Sequence, residues 1–238
     1  RKPIAGIFSV GVEEPYRWKD SVQNGDEIRL WVADGIAQGL RPWFIKFNAK
    51  PLDRRWLPVV EEIYRWHHAN ERYLRNERPL ARVGLVYSQQ TATFYGGERA
   101  RALVEDHTLG FYQALVEGRI PFEMVHDRLL DSAHLAAFKT LILPNIAALS
   151  DEQCAQLRAF VAAGGSLVAT HETALYDEWG RRRTDFGVGP LFGASFAGRV
   201  EGPMQNSYLN LVKVPGATAF HPLLAGLEDA GRVITGVH

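Results

Sequence analysis

Four short polar clusters carry most of the chemistry legible in this chain, and each follows directly on an apolar run: Tyr87-Ser88-Gln89, His126-Asp127, Pro144-Asn145 and Thr170-His171-Glu172. Hydroxyl, amide, imidazole and carboxylate groups placed just beyond buried strands suit recognition of a small ligand, because ligands of open α/β sheets bind outside the carboxyl ends of the strands. The fourth cluster is the richest. His171 and Glu172 read either as a polar pair that fixes a turn or as part of a binding site. A second polar group lies near the start of the chain, where Glu13-Glu14-Pro15-Tyr16-Arg17-Trp18 forms a loop rich in acids and aromatics, and Lys46 and Asn48 close another apolar run.

The elements that must position these groups follow from apolar spacing. Ala81 to Tyr87 is a β-branched run that stops at Ser88. Ile120 to Val125, Thr140 to Leu143 and Ser166 to Thr170 repeat the strand pattern. Between them, Glu98 to Gly118 places Leu103, Leu109, Tyr112 and Val116 near helical spacing, and Ser150-Asp151-Glu152 opens a helix with Leu157, Phe160 and Val161 on one side, closed by Gly164-Gly165. Strands alternating with helices through short connections predict an open parallel sheet with helices on both faces. Upstream, a strand from Ile4, a helix over Glu27 to Gln38 with Ile28, Trp31, Val32 and Ile36 as its apolar face, a strand over Trp43 to Phe47 and a helix over Leu57 to Leu74 make two β-loop-α units. Two such units cannot close a barrel that needs eight, so residues 1–78 are expected to be the C-terminal part of a (β/α)8 barrel. The expected second domain is 79–238, truncated at its C-terminus, with Arg75 to Pro79 as linker. After Glu172 the period weakens: residues 181–198 read as loop with short helical turns, His221 to Leu224 as a helical turn, and Leu209 to Val214 and Arg232 to Val237 as strands.

Composition narrows the function classes. The 27 basic and 27 acidic side chains cancel, which removes the electrostatic footprint of a nucleic-acid binder. The one cysteine, Cys154, sits mid-helix and reads as inert. His67-His68 are adjacent on a helix and face different ways, while His107, His126, His134 and His221 are scattered, so neither a metal nor another cofactor is expected. No apolar run approaches the length needed to cross a bilayer, so a soluble, cytoplasmic chain without membrane partners is expected.

Arg29-Leu30-Trp31, then Ala37 and Gly39, then the aromatic run Trp43 to Phe47, resembles the end of the catalytic barrel of family 42 β-galactosidases. The segments VGLVYSQQTATFYGG, TLILPNIAALSDEQ and FVAAGGSLVATHETALYDE resemble that family's trimerisation domain, a flavodoxin-like fold related to class I glutamine amidotransferases. A similar pairing occurs in a group of hypothetical glycosyl hydrolases. The resemblance implies a glycoside hydrolase fragment with a carbohydrate substrate and a homo-oligomer, a trimer, as its assembly. It places the nucleophilic glutamate near Val10 or Gly11, neither of which can serve, so Glu13 or Glu14 becomes the catalytic candidate, or both are ordinary loop acids. Trp18, Trp43, Lys46 and Asn48 become the candidates for sugar binding. The acid/base would lie outside this sequence, which therefore lacks a complete catalytic pair. The amidotransferase relation puts His171 or Glu172 where a nucleophilic cysteine would stand, and so argues against amidotransferase chemistry. The alternative is a non-catalytic α/β domain that recognises a small ligand or partner at Ser88, Asn145 and His171.

Overall fold

The computed structural model describes residues 4–11, 22–46, 52–74, 80–200, 207–213 and 215–235. The chain divides into two compact units, Arg1–Arg82 with Pro121–Glu123, and Val83–Ile120 with Met124–His238.

In the first unit, β1 (Ile4–Ser9) and β2 (Leu40–Ile45) pair in parallel, with Ile4 opposite Leu40 and Ser9 opposite Ile45. Helix α1 (Gly25–Ala37) connects them. Its start is fixed by Asn24, whose side chain accepts from the Asp26 N–H at 2.9 Å, with Asp26 and Glu27 favourably placed at the positive end of the helix. Gly39, at φ 91°, releases the chain from the helix. β2 begins at the next residue, earlier than the expected start at Trp43, because pairing with β1 recruits Leu40, Arg41 and Pro42, whose types do not advertise a strand.

Ile28, Val32 and Ile36 of α1 pack with Val10 and with Val60 and Ile63 of α2 (Trp56–Asn70) into one core. Trp31, expected on that face, is 58% exposed. On a helical wheel it lies about 100° from the centre of the stripe made by the other three.

The second unit holds a four-stranded sheet in the order β4-β3-β5-β6. Its strands are β3 (Val83–Tyr87), β4 (Phe122–His126), β5 (Thr140–Leu143) and β6 (Ser166–Ala169), and β5 runs parallel to both β3 and β6. Leu85, Val86, Leu141 and Leu143 are fully or almost fully sealed from solvent. Each such side chain contributes roughly 1.5–3 kcal/mol by leaving water. Helix α5 (Asp151–Ala162) starts with a reciprocal cap: Ser150 Oγ accepts from the Gln153 N–H at 3.1 Å, and Gln153 Oε1 accepts from the Ser150 N–H at 2.7 Å. Short α4 (Ser132–Leu135) is capped by Asp131.

The helix expected over Glu98 to Gly118 is not uniform. A 3₁₀ turn (Gly97–Arg99) and a π-helical segment (Arg101–Glu105) precede α3 (Asp106–Glu117), and a further π turn (Thr91–Gly96) stands before them. Val104, Thr108 and Leu115 are the buried positions, whereas Leu109, Tyr112 and Val116, expected to face the core, are exposed. After β6 come α6 (Gly189–Phe192) and an antiparallel pair, β7 (Ser207–Asn210) with β8 (Arg232–Thr235).

Candidate functional site

The carboxyl ends of the second unit's strands converge on a hydrogen-bonded polar layer. Ser88 and Asp127, 0% and 2% exposed, leave β3 and β4 side by side. The Ser88 hydroxyl donates to Asp127 Oδ2 at 2.7 Å and accepts from the Thr91 N–H at 2.9 Å, while Gln90 N–H donates to the same carboxylate oxygen at 3.1 Å. His126 Nδ1 lies 2.8 Å from the other carboxylate oxygen. Gln90 and Gln153 extend the layer: Gln90 Nε2 donates to the Ala148 carbonyl and to Gln153 Oε1, and Gln153 Nε2 donates to the Asp127 carbonyl. Burial without partners would be costly for these groups, and each has several. Ser88 is thereby closed to ligands from solvent. Gln89 beside it is exposed.

At the ends of β5 and β6, Asn145 is fully buried and holds a left-handed backbone, φ 48°. Its side chain donates to the Leu103 carbonyl at 2.7 Å and accepts from the Glu172 N–H at 3.2 Å. His171 takes the left-handed position of the turn after β6, φ 54°. The chain folds there because Thr170 Oγ1 accepts from the Asn145 N–H and Thr173 Oγ1 donates back to the Leu143 and Thr170 carbonyls.

Glu172, mostly shielded, accepts the Tyr95 hydroxyl at 2.7 Å and the Tyr176 hydroxyl at 3.3 Å. Burial first, and the Glu172 carboxylate after it, push both phenols above the ordinary tyrosine value, so both stay protonated donors. His171 projects towards solvent, with its ring 5.8 Å from that of His107 and its Nδ1 3.9 Å from Glu172. Burial, and after it the neighbouring His171, hold His107 below the usual imidazole range.

Of the five residues singled out here from sequence, Ser88 and Asn145 are internal struts, while Gln89, His171 and Glu172 reach the surface layer. Asp127, named from sequence as part of the cluster after β4, completes the network together with Gln90 and Tyr95, which the sequence did not point to. The cue for Asp127 was its place directly after β4, in register with Ser88 after β3. Cys154 stands on α5, buried at 1% exposure, with its thiol pushed up by that burial. A cleft of about 350 Å³ lies elsewhere, lined by Leu130, Leu135, Phe138, Phe160, Gly164 and Gly165. Among the described residues no group of three or more His, Cys, Asp or Glu side chains is arranged to hold a metal ion, and no helix is long and apolar enough to cross a membrane.

In the first unit, Glu13, Glu14, Trp18 and Asn48 lie outside the described residues. Trp43 sits in the middle of β2 opposite Ile7, and both side chains are more than half exposed on one face of the two-stranded sheet. Lys46 follows β2 directly. Its Nζ stands over Gly11, about where a Cβ on that glycine would come within 3.0 Å. Asp53, in the loop beyond, is held down to about 2 by hydrogen bonds from Arg55, with Lys46 adding a smaller attraction. It is a permanent acceptor at neutral pH.

Comparison with known proteins places this geometry. Residues 81–198 match the β-galactosidase trimerisation domain. No curated protein matches the sequence. Among solved structures, the chain superposes on a β-galactosidase from Bacillus circulans sp. alkalophilus with a TM-score of 0.69 at 17% identity, covering 88% of this chain and 34% of that one. It superposes on α-L-fucosidase isoenzyme 2 from Paenibacillus thiaminolyticus with a TM-score of 0.65 at 20% identity, over 98% of this chain and 32% of that one. A GH42 β-galactosidase from G. stearothermophilus gives 0.59 at 20% identity, over 80% and 31%. The chain thus spans about a third of the length of these structures. Residues 81–198 thus match the β-galactosidase trimerisation domain, and the chain has the fold of the corresponding part of these enzymes, the end of a (β/α)8 barrel followed by a flavodoxin-like open parallel sheet.

Proposed function

We propose that this chain is the barrel-end and assembly segment of a glycoside hydrolase that works as a homotrimer. Residues 1–78 supply the last two β/α units of the catalytic barrel, and 79–238 hold the copies together. The match of residues 81–198 to a trimerisation domain carries this reading. The uncovered apolar face at Ile7 and Trp43 supports the first half, since a soluble unit rarely leaves such a face bare. In this reading Lys46 and Asn48 supply hydrogen-bonding groups for a carbohydrate, Trp18 a stacking surface, and Glu13 or Glu14 the nucleophile, while Trp43 packs against the rest of the barrel. The acid/base comes from a strand outside this sequence. Both galactosides and fucosides enter the test, because the related folds carry the names of a β-galactosidase and an α-L-fucosidase.

The test is release of p-nitrophenol by the intact protein from a panel of p-nitrophenyl glycosides that includes β-galactoside and α-L-fucoside. Turnover of one glycoside, abolished by Glu13→Gln or Glu14→Gln, supports the reading. Absence of turnover on every sugar contradicts it.

A further inference from the structure

We propose that Phe94 and Trp179 form the anchor by which one copy of this chain grips the next, an inference that rests on the assembly reading above and adds the surface responsible. Trp179 is 60% exposed and Phe94 47% exposed, yet their rings are locked edge to face at 5.4 Å and 66°.

The turn that carries Trp179 is unusually well tied. Asp177 Oδ1 accepts from the Trp179 N–H at 2.9 Å and the Arg181 N–H at 2.8 Å, and the Asp177 N–H donates to the Arg181 carbonyl at 2.9 Å. Those donors keep the Asp177 carboxyl below its ordinary range, so the tie persists at neutral pH. Gly180, φ 75°, lies so close to the Phe94 backbone that a Cβ there would come 2.2 Å from the Phe94 carbonyl oxygen. At the next residue after Phe94, the Tyr95 ring stands 4.9 Å from that of Tyr176, and both hydroxyls converge on Glu172. The strand-end turn that places a nucleophile in related folds here braces an aromatic ledge. Next to it, the guanidinium of Arg182 is held over the Phe196 ring at 4.5 Å.

A side chain this exposed adds little to its own core, so rigid support has a use only if something docks. Tryptophan and arginine held in place before docking are the residue types that dominate interface energies, since little ordering remains to be done on contact. The occupant is a second copy because both ledge residues fall within 81–198, the segment that matches a domain defined by trimerisation. Three-fold closure is head to tail, so each ledge meets a different patch on the neighbouring copy, and three ledges are covered in a closed ring.

Sedimentation velocity of the intact protein over a concentration series tests this, with wild type, Trp179→Ala, Phe94→Lys and, as a control on the exposed face of α3, Leu109→Ala. The expected result is a trimer for wild type and Leu109→Ala, and at least a 100-fold weaker association for Trp179→Ala and Phe94→Lys, each with an unchanged circular dichroism spectrum. Wild-type trimers that persist undiminished in both ledge variants overturn the ledge and leave the assembly reading standing. A monomeric wild type overturns both. Loss of binding to soluble galacto-oligosaccharides in a Trp179→Ala protein that stays trimeric marks the ledge as a sugar platform and also refutes the proposal.

Discussion

Tyr95 donates its hydroxyl hydrogen to Glu172 across 77 positions of sequence at 2.7 Å, and so ties the segment after β3 to the turn after β6. Truncating Glu172 leaves the Tyr95 hydroxyl without its acceptor, and truncating Tyr95 leaves Glu172 with the longer bond from Tyr176, in a largely shielded place. Glu172→Ala and Tyr95→Phe should each lower unfolding free energy by about 1–3 kcal/mol. The double variant should cost less than the sum of the singles, as a urea-melt cycle would reveal.

A stronger effect is expected at Asp127. Its carboxylate is 2% exposed and takes hydrogen bonds from the Ser88 hydroxyl and the Gln90 N–H. Asp127→Ala removes the acceptor for both and should destabilise by about 3 kcal/mol, whereas Ser88→Ala removes one donor to it and the acceptor of the Thr91 N–H and should cost about 1–2 kcal/mol. Thermal melts of the two variants should rank in that order.

Gly180→Ala should be poorly tolerated for two separate reasons, the left-handed backbone at φ 75° and the approach to the Phe94 carbonyl. The backbone conformation alone costs about 1 kcal/mol for a residue with a Cβ, so a melting temperature equal to wild type would show that the turn can move off Phe94. Gly193→Ala provides the comparison: its backbone is also left-handed, φ 60° and ψ 24°, but nothing lies within 4 Å of the new methyl. It should be the milder of the two.

Acid should weaken the second unit through His107. Burial first and His171 second lower its pKa, while Asp106 pulls the other way. A histidine with a depressed folded pKa binds fewer protons than in the unfolded chain, so stability rises with pH through that window and is lost as pH drops below about 6.5, the ordinary histidine value. Urea melts between about pH 4.5 and 7.5 should show that slope, and His107→Gln should flatten it.

What the sequence revealed depended on how local the cause was. The strands after which Ser88, Asn145 and His171 stand were legible because each is a short apolar run cut off by polar residues. The capped start of α5 at Ser150 was legible for the same reason. The face of α3 was not. Leu109, Tyr112 and Val116 have the right spacing, but the buried side carries Val104, Thr108 and Leu115, and with a threonine at its centre that side is no more apolar in sequence than the exposed one. The start of β2 was missed because partner pairing, not propensity, draws in Arg41 and Pro42. In the polar layer, Asp127 was legible as a strand-end residue but its bond to Ser88 was not, and Tyr95 carried no signal at all, since their partners lie 39 and 77 residues away.

Native mass spectrometry of the intact protein addresses the central claim most directly. The account predicts a dominant species of three chain masses at micromolar concentration; a spectrum holding one chain mass throughout would contradict it.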